Sequence, residues 1–110
     1  MKDDHAYLTH IIQAISKIEE YSDGINKEKF NAQSLIQDGV IRQIEIIGEA
    51  TKNISNKTKE KHPRIPWKDI AGMRDKLVHH YFGVDIDAVW KTVKKDIPAL
   101  KKQLQKVAKS

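Results

Sequence analysis

The segment LIQDGVIRQIEIIGEATKNI, residues 35–54, has apolar residues at the spacing of an α-helix. At about 100° per residue these positions span about 180° of the helix circumference. A helix that packs on one side needs an apolar stripe only somewhat wider than about 100°. We therefore expect this helix either to lie at the centre of the fold or to contact a second subunit. Its apolar positions are Leu35, Ile36, Val40, Ile44, Ile46, Ile47, Ala50 and Ile54.

The opposite side of the same helix collects charged side chains, namely Asp38, Arg42, Glu45, Glu49 and Lys52. Neighbours three or four residues apart on a helix can form ion pairs, each worth a few tenths of a kcal/mol. This sector is interpreted either as a solvated face or as one wall of a polar cleft.

A helix is also expected on the N-terminal side, with candidate caps at Asp3 and Asp4. Its apolar residues recur every three or four positions and are Tyr7, Ile11, Ile15 and Ile18. Gly24 is expected to end it, because glycine accepts the left-handed conformation that closes a helix. On the other side, the segment HPRIP at residues 62–66 breaks the central pattern, since proline has no backbone N–H.

Three further helical pieces are expected after this break. The first carries Ile70, Met73, Leu77 and Tyr81 and ends at Gly83. Asp85 caps the next one, which holds Val89, Trp90 and Val93, and Pro98 starts or kinks the last amphipathic piece. The sequence therefore predicts an all-α, up-down bundle of four to five helices, with residues 1–110 forming a single domain.

Composition excludes several classes of protein. The chain has 110 residues, a formal charge of +5 and no cysteine, so disulfide frameworks and thiolate metal sites are excluded. No apolar run approaches about 18 residues, and the first ten residues are too polar for a signal peptide. We expect a cytoplasmic protein without membrane contact.

The positive charge is concentrated near the end of the chain. Residues 91–110 hold seven lysines and one aspartate, which gives +6. The lysines are Lys91, Lys94, Lys95, Lys101, Lys102, Lys106 and Lys109. They are interpreted either as a solvated helix face or as a surface that follows an RNA backbone or meets an acidic protein. Trp67 and Trp90 are expected to be core residues.

Polar and apolar residues meet in the segment GMRDKLVHHYFGVD, residues 72–85. A helical wheel places Arg74 within the apolar arc, where an unpaired charge would cost several kcal/mol. The arginine is therefore expected to extend its charged end to solvent, to pair with an acid such as Glu45 or Glu49, or to serve a site. His79 follows five residues later, about 140° round an ideal helix. The two side chains would converge only if the helix ends near residue 78 or if two subunits share a cleft.

The sequence gives little support for other kinds of catalytic site. The five histidines never fall at the i, i+4 spacing of a helical zinc pair, and HExxH is absent. Phosphate-binding glycine loops and serine nucleophile elbows are absent as well. We expect neither a bound metal nor a cofactor, and the candidate chemistry is that of arginine and histidine.

The spacing Arg74-x4-His79-x-Tyr81 resembles the R-x4-H-x-Y motif of HEPN-domain toxins of the HepT type. Asp75 fits the polar residue that these proteins favour after the arginine. Four other segments resemble the family in the same order: EIIGEA (45–50), RIPWKDIAGMRDKLVHHYFGVD (64–85), VWKTV (89–93) and DIPAL (96–100). The resemblance covers nearly the whole chain and is strongest over residues 40–100.

The resemblance implies a homodimer whose two motif copies share one cleft. It further implies a metal-independent ribonuclease that acts as the toxin of a toxin–antitoxin module. The implied partners are RNA and a nucleotidyltransferase antitoxin, which neutralises the toxin by attaching AMP to the motif tyrosine, here Tyr81. In this scheme His79 does acid–base chemistry, Arg74 binds phosphate, and Asp75 and Tyr81 support them.

Two alternatives stay open at this stage. The chain could be a non-catalytic helical subunit that docks a nucleotidyltransferase and presents Tyr81 or a substrate to it. It could also be a structural dimer in which Arg74 only pairs with Glu45 or Glu49. Removing one partner of such a buried pair would lower stability by several kcal/mol.

Overall fold

The computed structural model describes residues 4–79 and 83–109, and these are almost entirely helical. The helices are α1 (Asp4–Ser22), α2 (Lys27–Ala32), α3 (Ser34–Asn53), α4 (Asn56–Lys61), α5 (Trp67–Ala71), α6 (Met73–Leu77), α7 (Ile86–Lys91) and α8 (Ile97–Lys109). A π-helical segment, Thr92–Asp96, joins α7 to α8. The prediction of an all-α fold is confirmed. None of the described helices is both long and apolar enough to cross a membrane.

The core forms around α3, which contacts α1, α2, α5, α6 and α7. Val40, Ile44 and Ile47 on this helix are fully buried. Contact with neighbours on several sides explains why its apolar sector is so wide, and the prediction of a central helix is confirmed. The antiparallel partner α1 contributes further buried residues from its apolar face: Ile11, Ala14, Ile15 and Ile18. As expected, α1 is followed by Gly24, which has a φ of +71°.

Gly48 allows α3 and α5 to approach closely. A Cβ atom at this position would lie 3.1 Å from the carbonyl oxygen of Ala71, the last residue of α5. Real Cβ atoms rarely come so close to a backbone oxygen, so a side chain here would require α5 to shift. Gly48 therefore fixes the separation between α3 and the chain segment that leads to Arg74.

The helix predicted from Ile70 to Gly83 is wrong in its boundaries. Gly72 ends α5, since its N–H donates to the carbonyls of Ile70 and Lys68, and α6 then ends at Leu77. The chain continues in extended conformation as β1 (Val78–His79), which pairs antiparallel with β2 (Gly83–Val84). Valine, a β-branched residue, favours extended backbone, and Gly83 has a φ of +77°.

The last helical stretch is continuous from Ile86 to Lys109. Asp85 caps it as predicted, since its carboxylate accepts a hydrogen bond of 3.1 Å from the backbone N–H of Ala88. Pro98 has no N–H and its ring would clash with the carbonyl four residues earlier, at Lys94. The π-helical segment directly before α8 widens the helix at this point, which accommodates the proline without breaking the helix.

Helix α4 was not predicted, and its start is connected to the beginning of α1. The carboxylate of Asp4 accepts hydrogen bonds from the backbone N–H of Ser55 at 2.9 Å and from the Ser55 hydroxyl at 2.6 Å. The Thr58 hydroxyl donates to it as well. Ser55 in turn caps α4 by accepting a hydrogen bond from the N–H of Thr58. Hydrogen bonds from Ser55 and Thr58 lower the pKa of Asp4 below its usual value of 3.8.

This network predicts a pH-dependent contribution to stability. Because the pKa of Asp4 is lower in the folded chain, the stabilisation is present above pH 3.8 and is lost as the pH falls through the folded pKa. Asp4→Asn should therefore lower the free energy of unfolding by about 1 kcal/mol at pH 7, a charged hydrogen-bond contribution reduced for partial exposure. The deficit should shrink below about pH 4. Urea unfolding of wild type and variant at several pH values measures this difference in the free energy of unfolding.

The control for this experiment is Asp38→Asn, on the exposed face of α3. An equal loss of stability in both variants would contradict the prediction.

Candidate functional site

Arg74 lies at the surface, on the short helix α6, with 46% of its side chain exposed. Its neighbours Met73 and Leu77 are buried instead. The helical wheel placed Arg74 inside the apolar arc because Val78 and Tyr81 extended that arc past it. Since α6 ends at Leu77, the buried row consists of Ile70, Met73 and Leu77, and Arg74 lies at its edge. The interpretation of Arg74 as a buried structural partner is therefore wrong about its burial.

Two carboxylates surround the guanidinium of Arg74. Its Nε lies 3.8 Å from Oε2 of Glu45 on α3, and its Nη1 lies 3.8 Å from Oδ1 of Asp75. Both distances exceed the length of a hydrogen bond, so the contacts are electrostatic and orient the side chain loosely. Arginine has five N–H donors in a planar fork, and this arrangement leaves them available to an anion in the cleft.

The cleft at Arg74 is small and polar, with a volume of about 200 Å³. Its walls come from α3 on one side and from the α5–α6 segment on the other; the lining residues are Glu45, Glu49, Lys52, Ala71, Arg74 and Asp75. Lys52 pairs with Glu49 at 3.3 Å. The charged sector of α3 is exposed at all five positions, as expected for a solvated face, and three of its residues, Glu45, Glu49 and Lys52, also line this cleft. We call this the motif cleft.

A second groove of about 290 Å³ adjoins the motif cleft between α1 and α3. Glu45 and Glu49 line both, so they stand on the ridge between them. The floor of the groove is apolar and includes Tyr7 and Ile46, and the Tyr7 ring meets His10 edge-on at 6.3 Å between centroids. Sequence reasoning did not single out His10, because no motif or spacing connects α1 to α3.

His79 follows α6 in extended backbone, opposite Gly83 in the β1–β2 pair. The N–H of Asp85 donates to the carbonyl of Leu77 at 2.8 Å and fixes the end of α6 there. The angle of 140° expected within one helix therefore does not apply, and of the two conditions for convergence the first, a helix that ends near residue 78, is met. The description of His79 is limited to its backbone, and His80 and Tyr81 lie outside the described residues.

Lysines near the end of the chain have separate surroundings. Lys101 pairs with Glu19 at 2.9 Å and connects α8 to α1. Lys94 lies 4.6 Å above the ring of Trp90, which packs on the buried Phe30. Trp67 is buried, as expected, whereas Trp90 is half-buried.

Within residues 4–79 and 83–109, no three histidine or carboxylate side chains are placed to hold a metal ion.

Comparison with known proteins gives a match to one family model. Residues 11–107 match the family described as Ribonuclease HepT-like. The chain is 53% identical to a protein of Thermococcus cleftensis named "Probable ribonuclease HepT", over 99% of this chain and all of that protein. No solved structure matches the chain.

Two other relatives have names that refer to an RNase. A protein of Caldanaerobacter subterraneus subsp. tengcongensis, named "Putative RNase", is 45% identical over 97% of this chain and 96% of its own length. A Methanocaldococcus jannaschii protein, named "Gamma-glutamylcyclotransferase and putative RNase", is 49% identical over 96% of this chain. The chain spans only about half of that protein, 48% of its length.

Proposed function

Because the chain belongs to the HepT-like ribonuclease family, we propose that it cleaves RNA with Arg74 and His79 and without a metal ion. One observation supports the site above all others. Arg74 is half-exposed at a polar cleft, and α6 ends two residues before His79. Arg74, the cation proposed to bind phosphate, is thus five residues from His79, and the backbone of His79 lies outside the helix.

Arginine and histidine together can supply the steps of such a cleavage. One imidazole takes the proton from the ribose 2′-OH, whose oxygen then bonds to phosphorus, and the 5′-oxygen leaves with a proton from an acid. Histidine, with a pKa near 6.5, can serve as base or acid at neutral pH. The guanidinium of Arg74 binds two phosphate oxygens and stabilises the charge that develops in the transition state. Asp75 keeps the guanidinium oriented.

The active form in this proposal is a homodimer with two motif copies in one cleft. The groove between α1 and α3 supports this arrangement, because it is apolar and directly adjoins the motif cleft. On the same helix α1, Ile12 is 40% exposed. A second copy seated on this groove would bring a second Arg74 and His79 to the ridge formed by Glu45 and Glu49. One histidine could then act as base and the other as acid.

We further propose that the chain is the toxin of a cytoplasmic toxin–antitoxin module whose antitoxin is a nucleotidyltransferase. The partner would join AMP to Tyr81: the phenol oxygen bonds to the α-phosphorus of ATP, and pyrophosphate leaves with the proton going to solvent. Tyr81 is two residues from His79. An adenylyl group there would add a negative phosphate where the RNA phosphate must bind, and repulsion together with bulk would stop cleavage.

RNA cleavage in excess EDTA tests the nuclease proposal. Purified wild-type chain should degrade single-stranded RNA at the same rate with and without the chelator, since no step needs a divalent ion. A mock purification from cells that lack the chain, carried out in parallel, reports any contaminating nuclease. Loss of activity in EDTA and its return on adding Mg²⁺ or Mn²⁺ would contradict metal independence. Complete inactivity in both conditions would favour the non-catalytic docking subunit.

A further inference from the structure

A recess of about 420 Å³ lies between the proline-rich loop and α8, away from the motif cleft. Lys61, His62 and Arg64 line it from the loop side, and Gln103 and Lys106 line it from α8. We call this the cationic recess. It contains three permanent positive charges, and no carboxylate appears among its described lining residues.

This charge pattern separates the cationic recess from other clefts. Four other clefts formed by described residues each include at least two carboxylates. Within the part of the chain that the structure describes, Lys61, Arg64 and Lys106 form no ion pair with a carboxylate. Like charges that are gathered without compensation raise the free energy of the free protein and are relieved by a bound anion.

The backbone holds the cationic recess in a fixed geometry. The indole N–H of Trp67 donates to the carbonyl of His62 at 3.0 Å, and the N–H of Ile65 donates to the same oxygen at 3.2 Å. Ile65 and Trp67 are both buried, so they anchor the loop in the core. Pro63 and Pro66 restrict the backbone further. A site whose frame is already ordered loses little entropy on binding.

A groove adjoins the cationic recess on the side of α5 and α6. Gln103 lines both the recess and a neighbouring groove of about 240 Å³ that runs between α5–α6 and the π-helical segment with α8. That groove extends from Pro66 to Leu77, two residues before His79.

We infer that the cationic recess binds backbone phosphates of the RNA strand whose cleavage is assigned to Arg74 and His79, and so acts as a second contact for substrate. This inference rests on the proposed function. Arg64 supplies a guanidinium fork that matches two phosphate oxygens, and Lys61 and Lys106 supply ammonium groups on flexible stems. The site holds a phosphate away from the cleaved bond, and it selects for longer single strands rather than for a base sequence.

Binding of RNA to an inactive chain tests the inference separately from catalysis. In a His79→Ala background, fluorescence anisotropy with a labelled 12-nucleotide single strand should show about tenfold weaker binding on adding Arg64→Gln and Lys106→Gln. The slope of log affinity against log salt should fall by about 1.4, which corresponds to two phosphate contacts at about 0.7 each. The matched control is Lys17→Gln with Lys29→Gln, which removes two exposed charges from α1 and α2. Circular dichroism verifies that both variants fold.

Each outcome supports or overturns the proposal that the cationic recess binds RNA phosphates. A large loss in the Arg64/Lys106 variant and a loss below threefold in the control support it. Equal losses show general electrostatic attraction and overturn it, as does unchanged RNA binding, which leaves an acidic protein as the ligand of the recess. In an active background the same variant should slow cleavage of the 12-mer but not of a dinucleotide. If wild type cleaves nothing while binding still depends on the recess, the nuclease proposal fails and the phosphate site stands.

Discussion

Replacing His79 with alanine should lower the rate of RNA cleavage by about 10²–10⁴-fold, the usual contribution of a general acid or base. The imidazole is the group assigned to move protons between the 2′-oxygen, the 5′-oxygen and solvent. Alanine cannot replace it, and arginine, which stays protonated, cannot either. Initial rates on a single-stranded RNA, measured in EDTA with wild type and variant at equal concentrations, give the ratio.

The adjacent histidine provides a matched control for this experiment. His80 is of the same residue type and stands next to His79 in the chain, but it does not fall at the histidine position of the R-x4-H-x-Y spacing. His80→Ala should therefore retain activity within a few-fold of wild type. Equal activity of wild type and His79→Ala would remove histidine from the mechanism, and a loss confined to His80→Ala would move the acid–base role by one residue.

Replacing Arg74 with alanine should reduce cleavage by about 10²–10³-fold, as expected on removing one group that stabilises the charge of a transition state. Stability should change by less than about 1 kcal/mol, because the side chain is half-exposed and exposed ion pairs contribute little. Its contacts to Glu45 and Asp75 are both as long as 3.8 Å. Steady-state kinetics and urea unfolding measure the two effects on the same preparations.

Two further variants sharpen this result. Arg74→Lys keeps the charge but loses the planar fork, so it should recover only part of the rate. Lys76→Ala removes an exposed cation from the same helix α6 and should leave the rate nearly unchanged. A fall in stability of several kcal/mol in Arg74→Ala, with no specific loss of rate, would instead support a structural role for the arginine.

Much of the fold was predictable because its main determinants are local. The spacing of Ile44, Ile47 and their neighbours predicts α3 as a central helix, and it packs against α1, α2, α5, α6 and α7. Asp85 starts α7 by accepting a hydrogen bond from the N–H of Ala88, three residues later. Gly24 ends α1 through its φ of +71°. Such signals depend only on nearby sequence and need no knowledge of the tertiary structure.

The features that could not be predicted depend on contacts between distant parts of the chain or on competition between backbone conformations. Apolar periodicity continues from Ile70 to Tyr81 in the sequence, but α6 ends at Leu77, and this leaves Arg74 half-exposed at the edge of the buried row. Lys106 is more than forty residues from Arg64 in sequence, so their common recess becomes visible only after folding. For the candidate site, the motif residues were identifiable, whereas the ridge of Glu45 and Glu49 between two grooves was not.

The absence of a Cβ atom at Gly48 has a consequence for the position of Arg74. A methyl group there would push on the carbonyl of Ala71 and displace it by a few tenths of an ångström. Arg74 follows three residues later and would be carried along with that backbone. A misplacement of about 1 Å can cost about a hundredfold in rate when reacting groups must align, so a shift of a few tenths of an ångström should cost less. On the proposed function, Gly48→Ala is therefore expected to slow cleavage modestly by moving the backbone that carries Arg74.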